Sequence, residues 1–232
     1  MSEFGIGIYS LTEAARLIQF DRRTINRWLF GYDHARQTEV GLKQSHSDPL
    51  WQPQYASRHL KEKIVGFRDL LELRIVREFV NHGVPLIVIR KCMARAKEIF
   101  DLEYPLTTKR FTTDGKTIYA QVIAKAREDD LLDLRTNQFA FKDIIKPSLY
   151  AGIEYEGDFA RRWYPDSKKR DIVIDPNVQF GKPIIEAVAV PTTALYASYL
   201  AEKRNKQVVA RSYDVHVKHV EAAVRFEERL AA

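Results

Sequence analysis

The sequence has a single cysteine, Cys92, among its 232 residues. A lone cysteine cannot form an intramolecular disulfide, so the fold must be held together by noncovalent packing. Cys92 lies in a helical apolar pattern, which predicts that it is a small buried hydrophobic residue. The sequence also has no run of 18 apolar residues and no basic N-terminal segment followed by an apolar core. We therefore expect no export signal and no membrane-spanning helix, and hence a soluble, cytoplasmic protein.

Sequence motifs for catalysis and for metal binding are also missing. There is no glycine-rich phosphate loop, no cysteine/histidine zinc pattern and no nucleophile elbow. His216 and His219 are three residues apart but have no third ligand nearby, and the acidic run at 128–130 has no EF-hand spacing. Asp171 and Asp175 flank a predicted strand, but the proline after Asp175 explains that aspartate as a turn residue. We expect a protein that is not an enzyme and has no catalytic residue, metal or cofactor.

Positive charge is concentrated in the first half of the chain. The formal net charge is +6, from 37 basic and 31 acidic residues. Residues 1–110 carry 18 of the basic and 13 of the acidic residues, whereas residues 111–232 are close to neutral. This distribution predicts a polyanionic partner for the N-terminal half.

Residues 9–32, YSLTEAARLIQFDRRTINRWLFGY, have the pattern of two short helices joined by a tight turn. Ser10 and Asp21 are helix-capping residue types, and each precedes apolar residues at helical spacing. Those apolar residues are Leu11, Ala14, Ala15 and Ile18, then Ile25, Trp28 and Leu29. The pattern is typical of a helix-turn-helix, whose second helix can lie in a DNA major groove. The alternative is an ordinary two-helix corner with a solvated basic face.

The second helix leaves basic and polar side chains off its apolar stripe. Arginine binds phosphates and guanine through its planar guanidinium group, and asparagine reads base edges through its amide. Residues 33–63 then show no helical periodicity and include a possible strand near 50–52, as expected of a β-wing or of a long surface loop. The candidate DNA-binding residues of both segments are Arg22, Arg23, Thr24, Asn26, Arg27, Tyr32, Arg58, Lys61 and Lys63.

Two longer helices are predicted after the wing. Residues 64–80 carry a broad apolar face that needs burial on two sides, and the glycine of Asn81-His82-Gly83 is a helix-ending residue. Pro85 opens the next helix, whose apolar residues continue to Phe100. We therefore predict a mostly helical N-terminal domain with a wing, covering residues 1–104.

The rest of the chain divides into a β-rich connector, residues 105–170, and a helical C-terminal domain, residues 171–232. In the connector, β-forming residues on both sides of Asp114-Gly115 are typical of a hairpin, and further strands are predicted at 138–141 and 159–164. The C-terminal domain begins with a strand at 172–174. Three helices follow in a helix-turn-helix-like unit, whose mixed surface charge favours protein contact over DNA contact. The predicted fold is mainly α with a β-rich middle.

Two parts of the sequence resemble known families. Residues 9–32 and the segment GFRDLLELRIVREFVNHGVPLIVIRKCMARAKEIF are similar to the MerR-type winged helix-turn-helix. The pieces IVIDPNVQFGKPII, VPTTAL and VVARSYDVHVKHVEAAVRFE resemble the small domain of antitoxins that pair with PIN-like ribonuclease toxins. Their combination resembles VapB-type antitoxins with an N-terminal MerR-like domain. This sequence departs from the MerR pattern at Asn26 and Arg27, and from the C-terminal pattern at Ala187.

The resemblance implies a homodimer that binds operator DNA at its own promoter and neutralises a PIN-like toxin. Such a dimer places its recognition helices about one DNA turn apart. A second hypothesis is a ligand-sensing regulator of the MerR type without a toxin, with a pocket lined by aromatics such as Tyr155, Phe159 and Trp163. A third is an adaptor whose helical units contact only proteins.

Overall fold

The computed structural model describes residues 7–38, 41–56, 61–124 and 147–231. The chain divides into two compact units. The N-terminal unit is residues 10–149, and the C-terminal unit combines residues 150–232 with residues 1–9. About half of the described residues are helical and the sheets are small and separate, which makes a mixed α/β fold. The three-domain division predicted from the sequence stays a prediction.

Helices dominate the described part of the N-terminal unit, and short strands connect them. The strands are β1 (Tyr9–Ser10), at the boundary between the units, β2 (Tyr32–Thr38), β3 (Gly41–Ser47) and β4 (Ile64–Val65). The helices are α1 (Leu11–Ile18), α2 (Arg22–Phe30), α3 (Phe67–Asn81), α4 (Leu86–Phe100) and α5 (Lys109–Ala124). Cys92 is buried on α4, as predicted. No helix in the described residues is long and apolar enough to cross a membrane.

The first two helices begin at the predicted capping residues. The Ser10 hydroxyl accepts a hydrogen bond from the Glu13 backbone N–H, while the Glu13 carboxylate accepts one from the Ser10 N–H. This reciprocal pair is a capping box. The Asp21 carboxylate caps α2 by accepting from both the backbone N–H and the hydroxyl of Thr24. The apolar faces of the two helices are buried, with Ile25 fully inaccessible.

An antiparallel hairpin follows α2 directly. Strands β2 and β3 pair from Tyr32 opposite Ser47 to Thr38 opposite Gly41. Gly31 joins α2 to this hairpin with a φ of +69°, and a Cβ there would lie 2.6 Å from the Ser47 carbonyl oxygen. The junction therefore requires glycine. The hairpin occupies the position of the predicted wing.

The prediction of a possible strand near residues 50–52 is wrong. Residues 50–56 form bends and turns, because the Trp51 side chain turns into the core and its indole N–H donates to the Asp69 carboxylate at 2.8 Å. Pro49 and Pro53 flank residues 50–52, and proline removes the backbone donor that a strand ladder needs.

The predicted hairpin at Asp114-Gly115 is also wrong, because both residues lie inside α5. Phe111, Ile118 and Tyr119 fall at helical spacing and are almost completely buried. The Thr108 hydroxyl accepts from the Phe111 N–H and caps the helix. Burial of this stripe outweighs the cost of a glycine in a helix, which is about 1 kcal/mol. The acidic run at 128–130 and the strand predicted at 138–141 lie outside the described residues.

The C-terminal unit joins two small sheets to three helices. Its strands are β5 (Ile153–Glu156), β6 (Phe159–Trp163), β7 (Ile172–Val173), β8 (Ile184–Ile185) and β9 (Val190–Pro191). Its helices are α6 (Thr192–Ala201), α7 (Lys206–Ser212) and α8 (Val217–Ala231). The strands pair antiparallel as β5–β6 and as β7–β8–β9. Strands β6 and β7 and the three helices lie where the sequence predicts them.

Ile8 and Tyr9 pack within the C-terminal unit, against the turn at Gln179–Gly181. The Tyr9 hydroxyl donates a 2.8 Å hydrogen bond to the Gly181 carbonyl, and the Ile8 N–H donates to the Phe180 carbonyl at 2.9 Å. The turn at Gln179–Gly181 has positive φ values of 49°, 56° and 82°. Residues 172 positions apart are thus held side by side, although this pairing has no local sequence signal.

Candidate nucleic-acid interface

The face of α2 that points away from the core opens into a cleft of about 780 Å³ within the N-terminal unit. The start of α1, the first two turns of α2 and the segment before β4 supply its walls. The lining residues are Ser10, Leu11, Thr12, Arg22, Arg23, Asn26, Arg27, Tyr32, Glu62 and Lys63. Six of the nine candidate residues lie together here. Five of the lining side chains are cationic or amide groups that can bind an anion or a base edge.

Arg22 and Arg23 are exposed at the start of α2, and neither forms an ion pair with a carboxylate in the described ranges. Asp21 is the acidic group next to them. Hydrogen bonds from Thr24 lower the pKa of Asp21, so its carboxylate is ionised and committed to the helix cap. The two guanidinium groups are therefore available to an external ligand.

Arg27 lies one turn further along α2, against an aromatic ring. Its guanidinium carbon is 5.1 Å from the centroid of the Tyr32 ring, a cation–π distance. Tyr32 is the first residue of β2 and remains 39% exposed. The ring supports the Arg27 guanidinium at the surface, which reduces the conformational freedom that binding would otherwise cost.

Asn26 is hydrogen-bonded to Lys63. The Lys63 ammonium donates to the Asn26 side-chain oxygen at 2.9 Å, and the same ammonium lies 4.8 Å from the centroid of the Phe30 ring. Asn26 and Phe30 are four residues apart on α2, so they share one helix face. Lys63 thus connects the segment before β4 to the exposed face of α2.

The remaining candidates do not join this cluster. Thr24 is half-buried, and its hydroxyl donates to Asp21, so it serves the helix cap. Lys61 is exposed but does not line the cleft. Arg58 lies outside the described residues.

The buried carboxylate of Asp69 positions the segment that carries Lys63. It accepts from the Trp51 indole at 2.8 Å, from the Gly66 N–H at 2.9 Å and from the Gln54 N–H at 3.1 Å. Burial raises the pKa of Asp69 to about 6. Asp69 was not among the residues predicted from the sequence, although it stands three residues after the Gly66 helix cap, where an acidic residue is typical.

A second buried carboxylate, Glu72, lies one turn further along α3. One of its oxygens accepts from the Thr107 N–H and hydroxyl at 3.2 Å. The other oxygen has no hydrogen-bond partner among the described residues. Burial raises the pKa of Glu72 to about 8, which favours the protonated carboxyl at neutral pH.

Other predicted features do not form a comparable site in the described part of the chain. The His216 and His219 rings lie 6.3 Å apart, and no group of three potential metal ligands occurs among the described residues. Burial is the main cause that lowers the pKa of His219. Of the aromatic residues suggested for a ligand pocket, Trp163 is buried whereas Phe159 is 41% exposed.

Comparison with known proteins gives a sequence relative and a solved structure of similar fold. No protein-family model matches the chain. The chain is 24% identical over 198 residues to the protein named "Putative antitoxin VapB45" from Mycobacterium tuberculosis (strain ATCC 25618 / H37Rv), across 81% of this chain and 80% of that protein. The crystal structure of Rv2018 from Mycobacterium tuberculosis has a TM-score of 0.64 at 18% identity, covering 95% of this chain and 99% of that chain. The structural match shows a shared fold.

Proposed function

We propose that this protein is the DNA-binding antitoxin of a type II toxin–antitoxin system. In this role it neutralises a PIN-like ribonuclease toxin and, as a homodimer, represses its own operon. The similarity to a protein named as an antitoxin, across four-fifths of both chains, supports the toxin–antitoxin assignment. The protein then acts by binding, with no catalytic step of its own.

The observation that carries the DNA-binding part is the basic face of α2. Arg22 and Arg23 are exposed and unpaired among the described residues, Arg27 is supported by Tyr32, and Lys63 joins them from a separate segment. A concave group of donors on a helix with a buried opposite face matches the needs of phosphate and base contact.

Helix α2 has the dimensions that a major groove admits. An α-helix with its side chains is about 10–12 Å in diameter, and the groove is about 12 Å wide. The nine residues of α2 give about two and a half turns to lie along it. In this arrangement Arg22, Arg23 and Arg27 hold phosphates or guanines while Asn26 faces a base edge. The β2–β3 hairpin and Lys61 lie toward the neighbouring backbone as a wing.

We assign DNA binding to residues 1–104 and toxin binding to residues 171–232, with residues 105–170 as the connector. The exposed surface of α8 supports this division because it mixes acidic and basic residues. A mixed surface is poorly suited to phosphates but compatible with a protein partner. Ile8 and Tyr9 are an exception to the division, since they pack within the C-terminal unit.

Three measurements test the proposal. Fluorescence anisotropy with the duplex upstream of the coding sequence should show salt-sensitive binding, and light scattering should give a dimer mass. Co-expression with the product of an adjacent short reading frame should relieve that product's growth arrest and yield a stable complex. Absence of duplex binding at low salt would remove the DNA-binding part. Unrelieved growth arrest with no complex would remove the antitoxin part.

A further inference from the structure

We infer that the Lys63–Asn26 hydrogen bond makes Asn26 a reader of guanine and prevents it from reading adenine. Lys63 is then a specificity-determining residue, in addition to any contact of its own with phosphate. The inference rests on the proposed DNA binding, because it concerns which base the face of α2 selects.

The chemistry of the contact fixes the orientation of the Asn26 amide. An ammonium group has only donors, so the atom facing Lys63 at 2.9 Å must be the oxygen Oδ1. The amide nitrogen Nδ2 therefore points to the other side of the group. The usual ambiguity between the two ends of an asparagine amide does not arise here.

The position of Lys63 is supported from two directions. Its ammonium contacts the face of the Phe30 ring, one turn after Asn26 on the same helix. Its backbone precedes Gly66, whose N–H is held by the buried Asp69 carboxylate. The ammonium thus has two contacts on α2, and the lysine backbone lies three residues before an anchored glycine. The ammonium therefore lies beside Asn26 in the protein without DNA.

This arrangement conflicts with the contacts that asparagine uses to recognise adenine. That recognition needs the amide oxygen to accept from the adenine N6 amino group while the amide nitrogen donates to N7. Here the oxygen already accepts from a cation, whose positive charge repels the amino hydrogens of an approaching adenine. What remains is a set of donors, the Nδ2 hydrogens and the free hydrogens of Lys63. Guanine presents two adjacent acceptors, O6 and N7, to such a set.

The test is a selection of bound sequences from a random duplex library, followed by affinity measurements on the selected sites. The wild type should prefer guanine over adenine at one position by roughly tenfold or more, and Asn26→Ala should abolish that preference. Lys63→Met should release Oδ1 and move the preference at that position toward adenine. Lys61→Met is the matched control, because it removes the same charge two residues away without touching Asn26. The control should bind more weakly in salt but keep the guanine preference.

Three results would overturn the inference while leaving DNA binding intact. They are an adenine preference that depends on Asn26, no base preference that depends on Asn26, and identical selections by Lys63→Met and Lys61→Met. Failure of the wild type to bind any duplex at low salt is a different result, since it would reject the proposed DNA binding and this inference with it.

Discussion

The hydroxyl of Thr192, at the start of α6, donates a 2.5 Å hydrogen bond to the carboxylate of Glu227 on α8, and both residues are buried. Pro191 occupies the cap position of α6, so Thr192 does not serve as the cap. The Thr192 side chain is directed instead to the last helix. The contact therefore links the two ends of the three-helix arrangement in the C-terminal unit.

Replacing Thr192 by valine keeps the shape of the side chain but removes the hydroxyl donor. The buried Glu227 carboxylate then loses this hydrogen bond, so the free energy of unfolding should fall by about 1–3 kcal/mol. Thr193→Val is the matched control, since Thr193 is exposed next to it. Urea unfolding of both variants measures the difference. Equal stability of the two variants would show that the hydrogen bond contributes nothing to the fold.

The pH dependence of stability should report on Glu72. Its pKa is raised from about 4.5 to about 8, so between these values the folded protein holds a proton that the unfolded chain has lost. Stability is therefore greatest below the unfolded pKa and declines as the pH rises toward 8. The slope should approach roughly 1.4 kcal/mol per pH unit.

Glu72→Gln removes the titrating group and should flatten this slope between pH 6 and 8. Asp69, with a pKa raised to about 6, contributes mainly below that range. Glu98→Gln serves as the control, because that carboxylate is exposed and pairs with Arg95 on the surface of α4. Urea unfolding at pH 6, 7 and 8 decides the matter. If Glu72→Gln keeps the wild-type slope of stability against pH, a group other than Glu72 causes the pH dependence.

Features determined by neighbouring residues were predictable from the sequence, and features determined by distant residues were not. Helices α1 and α2 begin at Ser10 and Asp21 because a cap and an apolar stripe are both encoded within a few residues. The error at Asp114-Gly115 arose where two local signals conflict. There the turn-forming pair and its β-forming neighbours suggest a hairpin, but the helical spacing of buried residues decides the structure.

The same distinction holds for the candidate site. The basic residues on α2 were identified from the spacing of one helix. Their arrangement depends on Lys63, which is 37 residues from Asn26, and on Asp69, which holds a tryptophan 18 residues away. Such pairings depend on how separate segments pack, so only the structure shows which donors are occupied and which are free.

Gly181 should be intolerant of a side chain. Its φ is +82°, and a Cβ would lie 2.3 Å from the Tyr9 hydroxyl oxygen. Gly157 has a similar φ of +61°, but no atom lies within 4 Å of a Cβ placed there. Gly157→Ala therefore measures the cost of the positive φ alone, without a steric clash. We expect Gly181→Ala to be less stable than that control by at least about 1 kcal/mol in thermal unfolding. Tyr9→Phe in the Gly181→Ala background removes the clashing oxygen and should recover part of the loss. If the two alanine variants melt alike, the Tyr9 contact is unimportant.

The electrostatic part of DNA binding should depend on Arg23. Arg23 is exposed at the start of α2 with no ion pair among the described residues, so its replacement costs the folded protein little. Each phosphate contact releases about one counterion from the duplex, and this release sets the salt dependence of binding. Arg23→Ala should therefore weaken operator binding and reduce the slope of log affinity against log salt by about one unit.

Lys218→Ala, on the exposed surface of α8 in the other unit, removes the same charge and should leave the slope unchanged. Anisotropy titrations at several salt concentrations give both slopes. If the slope of Arg23→Ala equals that of the wild type, Arg23 does not contact a phosphate. The Lys218→Ala control shows how far the loss of one positive charge elsewhere in the protein changes the slope.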